Sequence, residues 1–244
     1  KIHHRVVNNF QRGRCFLAGD AAHIHSPAGG QGMNTGLMDA YNLAWKLALV
    51  IQEKANPSLL KTYNEERLPF AKKLVKTTDT AFETIASPNP LIRFFRLNLF
   101  PHALKFATSF KGTRTFAFKT VSQIAVNYQE GSLSRQYNDQ SFSAKTPKAG
   151  DRFPYYQVNG KSVFEWFQNT YFHALYFYTS EDSATAQQLT NYFKLAKIHV
   201  LLHPLPKATY SSLFEDLDVT EKAIFIIRPD MYIGYRSSVV DLAD

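Results

Sequence analysis

A short apolar run, residues 14–18 (RCFLA), stops at Gly19-Asp20, and a long helical period opens at Gln31. The stretch between them is rich in glycine and proline and carries His23 and His25 one residue apart. This order constrains the fold more than any other feature of the chain. The apolar run predicts a buried strand that ends at a turn. Met33, Leu37, Ala40, Ala44, Leu47 and Ile51 recur at spacings of three and four, which predicts a helix with one buried stripe. Strand, glycine loop and helix in succession set Asp20 at the carboxyl end of a sheet, the edge where open α/β folds take ligands. A carboxylate there suits sugar or polyol hydroxyls. Gly29, Gly30, Gly32 and Gly36 let backbone approach a flat or bulky ligand. A helix starting near Gly32-Met33-Asn34 aims unpaired N–H groups and its positive dipole end at the same place. The loop therefore reads as a binding site for a group carrying negative charge. A metal is the weaker reading, because His23 and His25 lack an HExxH pattern, paired cysteines or a third histidine at a diagnostic distance.

Downstream, Asn56-Pro57 predicts a cap and first-turn proline opening a second helix through LLKTYNEERL, which Pro69 is expected to bend or end. Residues 80–130 carry helical spacing broken by SPNP and Pro101, and read as several packed helices. Residues 131–150 are polar and aperiodic, and read as a linker. Beyond them, residues 174–180 and 198–204 predict strands around a helix at 185–196. Residues 223–236 predict two strands joined by an Arg-Pro-Asp-Met turn. A strand–helix–strand unit followed by a hairpin implies a small α/β domain with helices on one mixed sheet.

Charge is uneven. Residues 1–150 hold 20 Lys+Arg against 9 Asp+Glu, and residues 151–244 hold 8 against 11. The basic part has no Arg-Gly tract and no nucleic-acid module, so Lys61, Lys72, Lys73 and Lys76 are expected to be solvated helix faces and no nucleic-acid partner is expected. No apolar run is long enough to span a bilayer. Cys15 is the only cysteine; it reads as a small buried hydrophobe, and its isolation points to a reducing, cytoplasmic setting.

The string GDAAHIHSPAGGQGMNTGLMDAYNLAWKLAL (19–49) closely resembles the second flavin-binding motif of the FAD-dependent aromatic-ring monooxygenases, the para-hydroxybenzoate hydroxylase and phenol hydroxylase group. YNEERLP (63–69) resembles the Y-x-x-E-R-x-P that follows it. KAGDRFP (148–154) and IIRPDMYIGYR (226–236) resemble the ends of the thioredoxin-like carboxy-terminal domain of the phenol hydroxylase branch. The resemblance implies an α/β fold: the carboxy-terminal part of a Rossmann-like FAD-binding domain (1–55), a helical region (56–145) and a thioredoxin-like domain (146–244). That last domain has no C-x-x-C, so a structural or dimer-supporting role is expected of it rather than a redox one.

Carried over residue by residue, the resemblance implies that Asp20 binds the ribityl hydroxyls of FAD while Gly19 permits close approach. Pro27, Ala28 and Gly29 would pass the isoalloxazine edge through backbone contacts. Gly32, Met33 and Asn34 would present N–H groups to the flavin pyrimidine ring, where negative charge collects on reduction. His23 and His25 become loop-packing residues, and no side chain of the chain is assigned as catalytic acid or base. The implied partners are NADH or NADPH as reductant, oxygen and a small aromatic substrate, with a homodimer as an admissible assembly. The family's first FAD motif, a GxGxxG after an amino-terminal strand, is absent, as is its middle motif. The chain is accordingly expected to be the carboxy-terminal portion of a longer protein with ~250–300 further residues upstream, and to hold FAD weakly, without activity, by itself. Competing expectations are an FAD enzyme of other chemistry, such as halogenation or epoxidation, and a non-catalytic thioredoxin-like module.

Overall fold

The computed structural model describes residues 4–25, 30–137, 139–158, 160–179, 182–195 and 198–240. The chain forms two compact units, one of residues 1–44 and 63–126 and the other of residues 45–62 and 127–244.

In the first unit the strands are two-residue arms. β1 (Arg5–Val6) pairs antiparallel with β4 (His23–Ile24), and β2 (Gln11–Arg12) with β3 (Cys15–Phe16). The buried strand expected at 14–18 is thus only the return arm of a tight hairpin, turned at Gly13 with φ +60°. It pairs on one side alone, so Cys15 is exposed rather than buried, and Leu17 is also exposed. α1 (Gly32–Ile51) follows and continues into the second unit. A 3-10 turn at Pro57–Leu60, capped by Asn56 Oδ1 accepting from the Ser58 amide at 2.9 Å, leads into α2 (Lys61–Ala86). Pro69 does not end α2, which runs seventeen residues further to Ala86. Proline there removes the one amide that would bond the carbonyl of Glu65, and the bonds on either side carry the helix across.

The core of this unit is where α2 meets the short arms. Phe10 and Tyr63 are fully buried with ring centroids 5.9 Å apart, and the Tyr63 hydroxyl donates to the Leu17 carbonyl at 2.7 Å. Leu68, Ala71, Leu74 and Val75 complete it. Lys61, Lys72, Lys73 and Lys76 are exposed, as solvated helix faces should be.

The stripe expected to be buried on α1 faces outward. Met33 is 76% exposed, Leu37 62% and Ile51 76%, with Ala40 and Ala44 also exposed. The buried face is instead polar: Thr35, Asp39, Asn42 and Lys46, with Leu43 and Trp45 beside it. Spacing located the helix, but side-chain polarity misassigned its inner face. Hydrogen-bonding partners on α2 and the amino-terminal arms claim the polar side.

Residues 90–121 are helical, with α3 (Pro90–Phe94), a π turn, α4 (Phe100–Ser109) and α5 (Lys111–Val121). They are not packed as expected. None of their residues is buried, and Leu91, Phe106, Phe116 and Phe118 are among the most exposed apolar side chains of the molecule.

The second unit is built on a five-stranded sheet. Its strands are β5 (Arg135–Tyr137), β8 (Phe172–Tyr178), β9 (Val200–Pro206), β10 (Ala223–Ile227) and β11 (Ile233–Ser237), in the order β5-β11-β10-β8-β9. β6 (Gln157–Val158) and β7 (Lys161–Ser162) make a separate small hairpin. The residues expected to be a linker supply β5, which pairs parallel to β11 at the sheet edge. β8 and β9 are parallel and β10 is antiparallel to both β8 and β11. α6 (Ser183–Leu195) and α7 (Lys207–Leu217) belong to opposite faces. Leu175, Phe177, Phe225 and Ile227 pack with Leu213, Phe214 and Leu217 of α7, while Ala174, Tyr176 and Ile224 pack with Ala186 and Leu189 of α6. Both faces of β8 are covered, which is why its sequence FHALYFY shows no polar alternation. Ser162 and Glu165 form a capping box at the 3-10 turn Val163–Phe167, closing one end of the first of these cores. Arg228 and Asp230 form a buried bidentate pair, with Nη2 to Oδ2 at 2.6 Å and Nε to Oδ1 at 2.9 Å. The Arg228 guanidinium lies over the rings of Trp45, Tyr128 and Tyr232. Among the described residues no helix is long and apolar enough to cross a membrane.

Candidate functional site

Gly19 opens a 3-10 turn, Gly19–Ala21, with φ +58°. Only glycine adopts that conformation without strain. A β-carbon on Gly36 would come 3.4 Å from the Gly19 Cα, so turn and helix meet backbone to backbone. Two glycines seventeen residues apart thereby bring the Gly19-Asp20 turn onto the first turns of α1. Asp20 is exposed. Gly32 begins α1, Met33 is exposed and Asn34 half-buried. The first backbone bond at this end runs from the Thr35 amide to the Gln31 carbonyl at 3.0 Å. The amides of Gly32, Met33 and Asn34 precede it and have no partner within the helix. Pro27, Ala28 and Gly29 lie outside the described residues.

Behind this surface sits a buried polar cluster that the apolar periodicity did not reveal. Asp39 is fully buried. Its Oδ2 accepts from the Gly19 amide at 3.0 Å and from His23 Nε2 at 2.6 Å, and its Oδ1 accepts from Arg67 Nε at 2.6 Å. Arg67, also fully buried, donates through Nη2 to the Thr35 carbonyl at 3.3 Å. Gln123 Nε2 donates to Thr35 Oγ1 at 2.6 Å and to the Gln31 carbonyl at 3.2 Å. One turn further along α1, Asn42 Nδ2 donates to Glu66 Oε2 at 2.7 Å. Burial pushes the Asp39 carboxyl up. The hydrogen bond from His23, the charge and hydrogen bond of Arg67 and the Gly19 amide together outweigh it, and hold the group below the ordinary carboxylate range. The signal was present as polar residues at 35, 39, 42 and 46, spaced by three and four within an apolar helix.

His23 is thus a bonded core residue, stacked on Phe10 at 5.9 Å. His25 stacks on His23 at 6.3 Å, and its ring atoms lie 3.7 Å from where a β-carbon on Gly32 would stand. Among the described residues no group of three metal-ligating side chains comes together.

A left-handed glycine turn with an exposed carboxylate thus lies against Gly36 of a helix whose first amides have no partner within it, and helix amino termini of this kind favour anions. The fit to FAD rests on the Gly19–Gly36 approach and these amides. Residues 1–78 match the family model of the FAD binding domain. A flavin-dependent monooxygenase of Mycobacteroides abscessus is 34% identical over 239 residues, covering 96% of this chain and 39% of that protein. Pentachlorophenol 4-monooxygenase of Sphingobium chlorophenolicum is 38% identical over 154 residues, covering 63% of this chain and 26% of that protein. Among solved structures, CabE, an aromatic hydroxylase from angucycline biosynthesis, aligns at 26% identity with a TM-score of 0.66, covering 98% of this chain and 45% of that one. Residues 1–78 thus carry the FAD binding domain match, and the α/β chain is similar over nearly its whole length to flavin-dependent aromatic monooxygenases while spanning less than half the length of these relatives.

Proposed function

We propose that this chain is the part of an FAD- and NAD(P)H-dependent monooxygenase that holds the ribityl and pyrimidine side of the flavin, in an enzyme that hydroxylates a small aromatic compound. The observation that carries this is the Gly19-Asp20 turn seated on the amino-terminal turns of α1, within the residues matched by the FAD-binding family. Asp20 accepts hydrogen bonds from the ribityl hydroxyls, and Gly19 keeps a side chain out of their way. The amides of Gly32, Met33 and Asn34 face the pyrimidine ring. The open amides and the dipole of α1 favour negative charge there, an electrostatic contribution that needs no acid or base from the chain. When bound, FAD supplies the redox chemistry between the nicotinamide donor, oxygen and the aromatic ring. We take residues 1–55 as the flavin-binding portion, 56–145 as a helical region and 146–244 as a thioredoxin-like domain that supports assembly, with a homodimer the simplest form. A cytoplasmic setting suits a chain with one thiol.

The test is FAD binding by the whole enzyme of which this chain is proposed to be part, followed by flavin fluorescence, with NADH or NADPH oxidation measured across a set of phenols. Asp20→Ala should weaken FAD binding roughly tenfold or more, the loss of a charge-assisted hydrogen bond. A whole enzyme that shows no affinity for FAD refutes the reading, and unchanged affinity in Asp20→Ala removes Asp20 from the site.

A further inference from the structure

We propose that Asp39 is a positioning residue for the flavin: clamped by His23 and Arg67, it fixes the Gly19-Asp20 turn against α1 and so sets FAD affinity and the potential of the bound flavin. The inference rests on the flavin reading above and names a residue that does not itself face the cofactor.

Three observations carry it. The Gly19 amide is left out of every strand ladder and helix by the left-handed turn, and the Asp39 carboxylate takes it. Asp39 lies on the second turn of α1, and a helical side chain leans toward its own amino terminus, so this carboxylate reaches back to the turn it anchors. Arg67 and Gln123 hold the same end of α1 from other elements, at the carbonyls of Thr35 and Gln31 and the Thr35 hydroxyl. The loop carrying Asp20 and the amides expected to face the pyrimidine are thereby tied to one buried carboxylate. Stability alone does not explain burying such a cluster, since well-packed apolar residues of the same volume commonly do as well or better. What an ion pair with a shared hydrogen-bonded amide adds is direction, and a cofactor site needs its donors fixed in direction before the ligand arrives.

The experiment compares Asp39→Asn with Glu66→Gln, which neutralises a neighbouring buried carboxylate bonded to Asn42 rather than to the turn. Amide hydrogen exchange at Gly19 is followed by NMR in the chain without cofactor, and FAD affinity and midpoint potential are measured for the same variants in the whole enzyme. Asp39→Asn should speed Gly19 exchange, weaken FAD roughly tenfold or more and shift the midpoint potential. Glu66→Gln should leave all three near wild type despite a similar fall in melting temperature. Faster Gly19 exchange with unchanged affinity and potential overturns the positioning role alone, and so does equal loss in both variants. Failure of the wild-type whole enzyme to bind FAD overturns the flavin reading and this inference with it. Should Asp39→Asn not fold, Arg67→Lys keeps the charge and removes the second arm that reaches Thr35. Severalfold weaker FAD is then expected, and unchanged affinity refutes the proposal.

Discussion

Lowering the pH from about 7.5 to about 5 should destabilise the second unit through a histidine pair that has no part in the flavin site. His173 on β8 is 1% exposed; its Nδ1 lies 2.9 Å from His203 Nε2 on the parallel neighbour β9, and its Nε2 lies 3.1 Å from Asn169 Oδ1. Trp166 stacks on His203 at 5.4 Å. Burial first, and the proximity of His203 second, lower the His173 pKa from 6.5 to about 4; burial lowers that of His203 as well. In the unfolded chain His173 takes up its proton near 6.5, so the folded state binds fewer protons throughout the interval from 6.5 down to about 4. Stability is therefore full above 6.5 and falls as the pH drops toward 4. At 1.36 kcal/mol per pH unit, the loss at pH 5 is roughly 2 kcal/mol from His173 alone. With a urea dependence of about 2 kcal/mol per molar, the unfolding midpoint should move down by about 1 M. Trp45 and Trp166 are the only tryptophans of the chain and both lie in this unit, so urea titrations followed by tryptophan fluorescence report on it. His173→Gln, which cannot titrate, should lose about 2 kcal/mol of the pH-dependent part while carrying its own fixed cost at both pH values. Parallel pH slopes in wild type and His173→Gln would refute the reasoning.

Two further outcomes follow from packing. Gly150 has φ +90°, and a β-carbon there would stand 2.4 Å from the Gln129 backbone nitrogen, so Gly150→Ala should cost about 3 kcal/mol or more in urea unfolding. A cost below about 1 kcal/mol would show that the Tyr128–Gln129 segment yields freely. Asp230→Ala leaves the Arg228 guanidinium buried without its carboxylate and should lower stability by about 3–5 kcal/mol. A near-neutral result would refute the dependence of this buried charge on the Asp230 carboxylate.

Much of the second unit was legible because its strands are buried on one or both faces and bounded by polar turns. β8, α6, β9 and the β10–β11 hairpin lie within two residues of their expected places. α7 was not anticipated: KATYSSLFEDL shows its buried face only as Leu213, Phe214 and Leu217, clustered at its end. β5 escaped because an edge strand of three exposed residues leaves no apolar pattern. In the first unit the Gly19-Asp20 turn and the start of α1 were readable from glycine placement and helical spacing. The inner face of α1 was not, since the rule that apolar residues point inward fails where Asp39, Arg67, Asn42 and Glu66 satisfy one another. The same rule misplaced Cys15, whose hairpin arm has a neighbour on one side only.

That exposed Cys15 also gives the protein a natural attachment point. It is the single thiol of the chain and precedes Asp20 by five residues, at most about 18 Å even for fully extended backbone. A thiol-reactive fluorophore placed there needs no cysteine engineered into this chain. Its emission, quenched by energy transfer to the yellow isoalloxazine, would signal the arrival and departure of the flavin in real time, one molecule to one dye.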